Sequence, residues 1–246
     1  IKKIDLLSFS KVFGYESFEY RKTKLASLYT TSFLSLLNNF VHLPRSFSEI
    51  KEEFVLTEMF HETESTKKDY IKPIISIPEQ AKNVIFSGSH IGISTPFYQT
   101  SRSDGISKMA FDIVDLEAVD ENYWPRTKFK LSDVGATYPL LNWNGKSSLT
   151  SYRLVTKYQI SSSMERPLIS AIIPPQTKHI QTLISITYKS DLDLLSSIAS
   201  ISSLVYQFFA KVSGAATFRS LMHSLKWTTK LSTESFNRVL VLNCMN

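Results

Sequence analysis

Residues 152–175, YRLVTKYQISSSMERPLISAIIPP, limit the folds open to this chain more than any other stretch. Tyr152, Leu154, Thr156, Tyr158 and Ile160 alternate with Arg153, Val155, Lys157 and Gln159, the period-2 pattern of a half-buried strand. On that reading Arg153 and Lys157 share the wetter face. Residues 161–167 break the pattern with three serines, Glu165, Arg166 and Pro167, as a hairpin or short loop does. Residues 168–173 are almost wholly apolar, too few for a typical helix, and stopped by Pro174 and Pro175. They are expected to form a central strand covered on both faces.

The remaining elements arrange themselves around this unit. Residues 182–188 alternate again and predict another strand. Ser190 and Asp193 have capping-box spacing for a helix over 191–212, with Leu194, Ile198, Ile201, Val205 and Phe208 facing inward and Gly214 closing it. Ser196, Ser200, Ser203 and Gln207 form a polar stripe on that helix, which argues against a membrane span. Upstream, residues 20–41 carry a broad apolar helical face that includes Phe33, Leu36, Leu37 and Phe40. Residues 71–77, 83–86 and 110–114 read as extended, and 87–104 as a loop-rich surface exposing Tyr98 and Arg102. The fold class is therefore α+β: a strand-rich, mixed or antiparallel core flanked by packing helices. A helical N-terminal segment over 1–60 would precede an α+β domain over 61–246.

Charge is unevenly distributed. The chain has a formal net charge of +6, and residues 126–189 hold nine Lys/Arg against Asp133 and Glu165. Residues 49–64 and 104–121 are acidic instead. Segregation of this kind suits a polyanion-binding face. The turn Tyr123-Trp124-Pro125-Arg126 gathers two aromatic rings and a guanidinium. It reads either as an aromatic corner packed on the core or as a contact loop in which Arg126 reads a base edge. Lys128 follows it. Arg153 and Lys157 suit phosphate contact or a solvated cationic strand face.

Positive evidence for catalysis is missing from the chain. His42, His61, His90, His179 and His223 show no metal-ligand spacing, and Cys244 is the only cysteine. Gly88 and Gly92 make no phosphate loop, and no Gly-x-Ser-x-Gly elbow occurs. Asp112, Asp115 and Glu117 are the one carboxylate group that a metal-dependent nuclease would use. No metal site is expected. The lone cysteine and the lack of a visible leader point to the cytoplasm, and a start at Ile1 rather than Met points to a fragment.

Five stretches taken in order carry a resemblance: VLTEMFHETESTKKDYI (55–71), FSGSHIGISTPFYQTSR (86–102), FDIVDLEAVDENYWPRTKF (111–129), YRLVTKYQISSSMERPLISAIIPPQTKHI (152–180) and FNRVLVLNCMN (236–246). Together they resemble the C-terminal region of large defence-island adenine-N6 DNA methyltransferases, akin to type IIG restriction-modification enzymes and the methylases of DISARM and BREX systems. In that family the region follows the methyltransferase domain and carries target recognition. The catalytic Asn-Pro-Pro-Tyr/Phe tetrapeptide and the Gly-containing cofactor loop are absent here, so no catalytic residue carries over.

The resemblance implies a specificity region that contacts double-stranded DNA. A catalytic domain of the same or a partner protein would bind S-adenosylmethionine and receive a flipped adenine. The DNA-contact candidates are Tyr98, Arg102, Trp124, Arg126, Lys128, Arg153, Lys157 and Arg166. The competing reading is a protein-interaction scaffold whose basic face docks an acidic partner.

Overall fold

The computed structural model describes residues 3–13, 32–43, 45–92, 96–104, 110–139, 142–228 and 231–243. We label six helices: α1 (Lys3–Val12), α2 (Ser32–Val41), α3 (Asp191–Ser202), α4 (Leu204–Ser213), α5 (Phe218–Met222) and α6 (Thr233–Asn243). Six strands are labelled: β1 (Phe54–Thr57), β2 (Gln99–Ser101), β3 (Phe111–Ile113), β4 (Arg153–Lys157), β5 (Ser170–Ile173) and β6 (Leu183–Tyr188). The fold is α+β. Its centre is an antiparallel sheet of order β5-β4-β6-β1, with Leu154 opposite Ile172 on one side and Ile186 on the other.

Alternation along the strands sends side chains to two separate cores. Leu154, Ile184 and Ile186 point to the helical side, where they join Phe9, Leu37, Phe40, Ile198, Ile201 and Phe209. Each such fully buried side chain contributes about 1.5–3 kcal/mol relative to exposure. Val155, Ala171, Ile173 and Leu183 point the other way, against Val84, Phe86, Ile91 and Phe97. That second layer is loop-rich, stitched by the β2–β3 pair and by a short parallel pairing of Lys178–His179 with Ile85–Phe86.

The three expected strands form, with two differences of position. The 168–173 segment pairs only with β4, so it is an edge strand and not a central one. Side-chain amides cover its open edge: Gln207 accepts from the Leu168 N–H at 2.9 Å and donates to the Leu168 carbonyl at 2.8 Å. Asn243 Oδ1 accepts from the Ile172 N–H at 3.2 Å. Strand β4 is central instead, and both of its faces are covered, so Arg153 has no wet face to occupy.

The helix expected over 191–212 is two helices bent by 65°. Ser203 sits between them in an extended conformation (φ −71°, ψ 150°); its N–H closes α3 onto Ser200, and its hydroxyl caps the Tyr206 N–H of α4. The break resets the helical phase. Leu194, Ile198 and Ile201 are buried as the periodicity predicts, but Val205 is exposed and Tyr206, Phe209, Ala210 and Val212 face inward. The serine stripe is also inside: Ser196, Ser200 and Gln207 are buried, with the Ser200 hydroxyl donating to the Ser196 carbonyl. Gly214 ends α4 in the left-handed region at φ 59°, as expected. No single helix is long and apolar enough to cross a membrane.

At the N-terminal end, α2 accounts for residues 32–41 of the helix expected from 20, and 20–31 lie outside the described residues. Described residues before 60 pack with the rest of the chain. Strand β1 completes the sheet, and Phe9, Val12, Leu37 and Phe40 share the core of α3 and α4.

Candidate contact face and the fate of the basic residues

Three short segments meet around β2 and β3, and Arg126 ties them together. Its Nε donates to the Ser101 carbonyl at 2.7 Å, its backbone N–H to Thr100 Oγ1 at 2.7 Å, and its guanidinium pairs with Asp112. Thr100 and Asp112 are themselves register partners. Arg126 is therefore a brace across the strand pair, the corner alternative of the two left open by the sequence. The same ion pair occupies Asp112, the first of the three carboxylates considered for metal chemistry. Among the described residues no group of three or more His, Cys, Asp or Glu side chains could hold a metal ion.

Beneath the brace lies His90, fully buried. Its Nδ1 accepts from the Ser87 N–H at 3.0 Å, which leaves Nε2 to carry the proton and donate to the Arg126 carbonyl at 3.0 Å. Burial holds its pKa below the usual histidine value, so the ring stays neutral. The sequence excludes His90 only from metal-ligand spacing; its spacing of three from Ser87, a capping-box geometry, is the signal for this buried position.

A cavity of about 350 Å³ opens beside the β2–β3 pair, lined by Tyr98, Gln99, Phe111, Met164 and Ile169 with Lys157 in its wall. The Lys128 ammonium lies 4.2 Å from the Phe111 ring centroid, a cation–π contact. Lys157 is partly buried, and desolvation pushes its pKa below the ordinary lysine value. No carboxylate pairs with it among the described residues. Tyr98, Lys128 and Lys157 are thus gathered around one ring and one cavity. Arg166 is two residues from Met164 in the same loop and partly exposed. Arg102 lies just past β2, exposed and paired with Asp104.

Two of the eight candidates are placed elsewhere. Trp124 packs against the second core and lines a different, larger cavity. Arg153 is 0 % exposed: its guanidinium donates to the carbonyl and hydroxyl of Thr177 and lies 3.9 Å from Met59 Sδ. It cannot touch a phosphate from there, and the expectation that it shares a wet face with Lys157 is corrected. Burial lowers its pKa to about 10.

The segregated charge is likewise partly internal. Lys178 is buried, donates to the Lys82 carbonyl at 2.7 Å, and is lowered to about 8 by burial and by Arg153 and Lys82. Lys189 pairs with Glu53 at 3.6 Å. The chain matches no known protein-family model and no curated protein.

Proposed function

We propose that this chain is a DNA target-recognition module whose contact face is the β2–β3 pair with the adjoining cavity. One observation carries the reading: Lys157 is partly desolvated, pairs with no carboxylate among the described residues, and stands in a wall shared with Tyr98 and with Phe111, whose ring carries Lys128. An ammonium in that position has lost hydration without gaining an ion pair, so a phosphate oxygen brought to it restores favourable charge interaction. The rings of Tyr98 and Phe111 offer stacking surface for an unstacked base. In this reading Lys157, Lys128 and Arg166 meet phosphates, Tyr98 supports a base step, Arg102 sits at the rim, and Arg126 braces the face from within. The resemblance supplies the enzyme: a methyltransferase domain in the same or a partner protein, with S-adenosylmethionine and the catalytic residues, acts on an adenine that this module positions.

A salt titration of duplex binding by the full chain tests the reading. Affinity should fall linearly with the logarithm of salt concentration. Lys157→Gln and Lys128→Gln should each weaken all duplex sequences alike and reduce the salt slope by about one. Salt-independent binding, or two variants indistinguishable from wild type, removes the DNA reading. The protein-interaction scaffold then takes its place, favoured by the exposed apolar run Leu240, Val241 and Leu242 on α6.

A further inference from the structure

The larger cavity belongs to no part of that contact face. It has a volume of about 670 Å³ and lies between the 121–125 loop, Tyr152, β5, α3 and α6. This size falls within the usual range for small-molecule sites. Rings from separate parts of the chain converge on it: Phe86, Phe97, Tyr123, Trp124 and Tyr152. Leu194, Leu195 and Leu240 supply aliphatic wall. Among the described residues, the only charged side chains lining it are two carboxylates, Glu121 and Asp191.

We infer that this cavity is a binding site for a small organic cation, an ammonium or guanidinium carrying an apolar body, held among aromatic ring faces with Glu121 and Asp191 as its counter-charges. Three physical facts converge on that chemistry. Ring faces carry negative quadrupole density and attract cations, most strongly on Trp. In a chain of net charge +6, neither Glu121 nor Asp191 forms an ion pair among the described residues, whereas Glu53, Glu58 and Asp112 do. Asp191 lies in the first turn of α3 and offsets the helix dipole there. Glu121 lies in a turn and has no such partner among the described residues. An anion entering the cavity meets two like charges, and a neutral apolar molecule gains only burial.

The inference rests on this cavity alone and is independent of DNA binding at Lys157. Its test compares three probes on the full chain: benzyltrimethylammonium, its uncharged carbon isostere neopentylbenzene, and benzenesulfonate. Tryptophan fluorescence and ligand-observed NMR give the dissociation constants. The cation should saturate at a concentration about tenfold below the isostere, the difference that a cation–π and carboxylate contribution makes. The sulfonate should not bind. The double variant Glu121→Gln/Asp191→Asn should bring cation and isostere to within about twofold of each other while leaving isostere binding in place. Both substitutions are at exposed positions, so the fold is retained, and an unchanged circular dichroism spectrum verifies it. Equal affinity of the isostere and the cation for the wild-type chain overturns the inference, as does the absence of saturable cation binding. A cation preference that survives the double variant overturns the carboxylates' part in it.

Discussion

Arg153, Lys178 and His179 occupy one buried neighbourhood, and among the described residues no carboxylate pairs with them. Burial pushes all three pKa values down, and the charge of Arg153 adds to the effect on the other two: Arg153 to about 10, Lys178 to about 8 and His179 to about 3. His179 is therefore neutral in the fold at any ordinary pH, held against the Ile180 carbonyl at 3.1 Å and the Ser185 hydroxyl at 2.9 Å. Its unfolded value is near 6.5, above the folded one. The unfolded chain takes up the proton first as pH falls, so the contribution of His179 is complete above about pH 6.5 and is lost progressively towards about pH 3. Urea midpoints measured across that window should fall with acid, and His179→Gln should flatten the decline; an equal decline in the variant refutes the assignment. For Arg153, the sign depends on the replacement. Arg153→Ala leaves a hole and should cost about 2–5 kcal/mol. Arg153→Met fills the space and removes an uncompensated buried charge, losing chiefly the bonds to Thr177, so it should cost clearly less in the same urea series.

Elements in this protein are fixed as much by side-chain amides and close backbone contacts as by propensity. Gln207→Leu keeps the apolar volume of α4 but leaves the Leu168 N–H and carbonyl unpaired, a loss of about 1–3 kcal/mol read by chemical denaturation. Amide exchange at Leu168 should accelerate with it. A second close contact lies at Gly135, in the short helix Asp133–Ala136, where a Cβ would stand 1.9 Å from the Tyr70 carbonyl oxygen. Gly135→Ala must displace backbone and should lower the melting temperature far more than Gly145→Ala, whose Cβ meets nothing within 4 Å although its φ is +75°. Strand existence was readable because period-2 alternation survives in β4 and β6. Strand order was not, since an apolar run such as 168–173 looks the same at a sheet's centre and at an edge sealed by helices. The helix break was hidden for a related reason: Ser203 suits an N-cap, yet the apolar period runs through it unbroken. Among the candidate contacts, residue type singled out Lys157 and Tyr98, and only the structure shows that they line one cavity. Residue type could not mark Arg153 as internal, because a cation on an alternating strand ordinarily faces water.

At the scale of the molecule, one sheet divides two cores, and helices α1 and α2 seal the helical one. Phe9, Val12, Leu37 and Phe40 cover Tyr206 and Phe209, with the Phe40 and Phe209 rings stacked at 4.5 Å. A chain starting at residue 44 should consequently melt at a lower temperature and bind a hydrophobic dye, and an unchanged transition refutes the sealing role of α1 and α2. The way β5 is sealed bears on how this protein meets copies of itself. LISAII (168–173) is six residues long, uncharged, rich in β-formers and free of proline, the composition of a self-templating segment. Pro167, Pro174 and Pro175 bracket it as gatekeepers, and Gln207 and Asn243 fill the hydrogen-bonding positions that another strand would take. Protection of this edge is therefore a tertiary property: it lasts as long as α4 and α6 stay docked, and the first local opening to free those amides is also the step that exposes a growing edge.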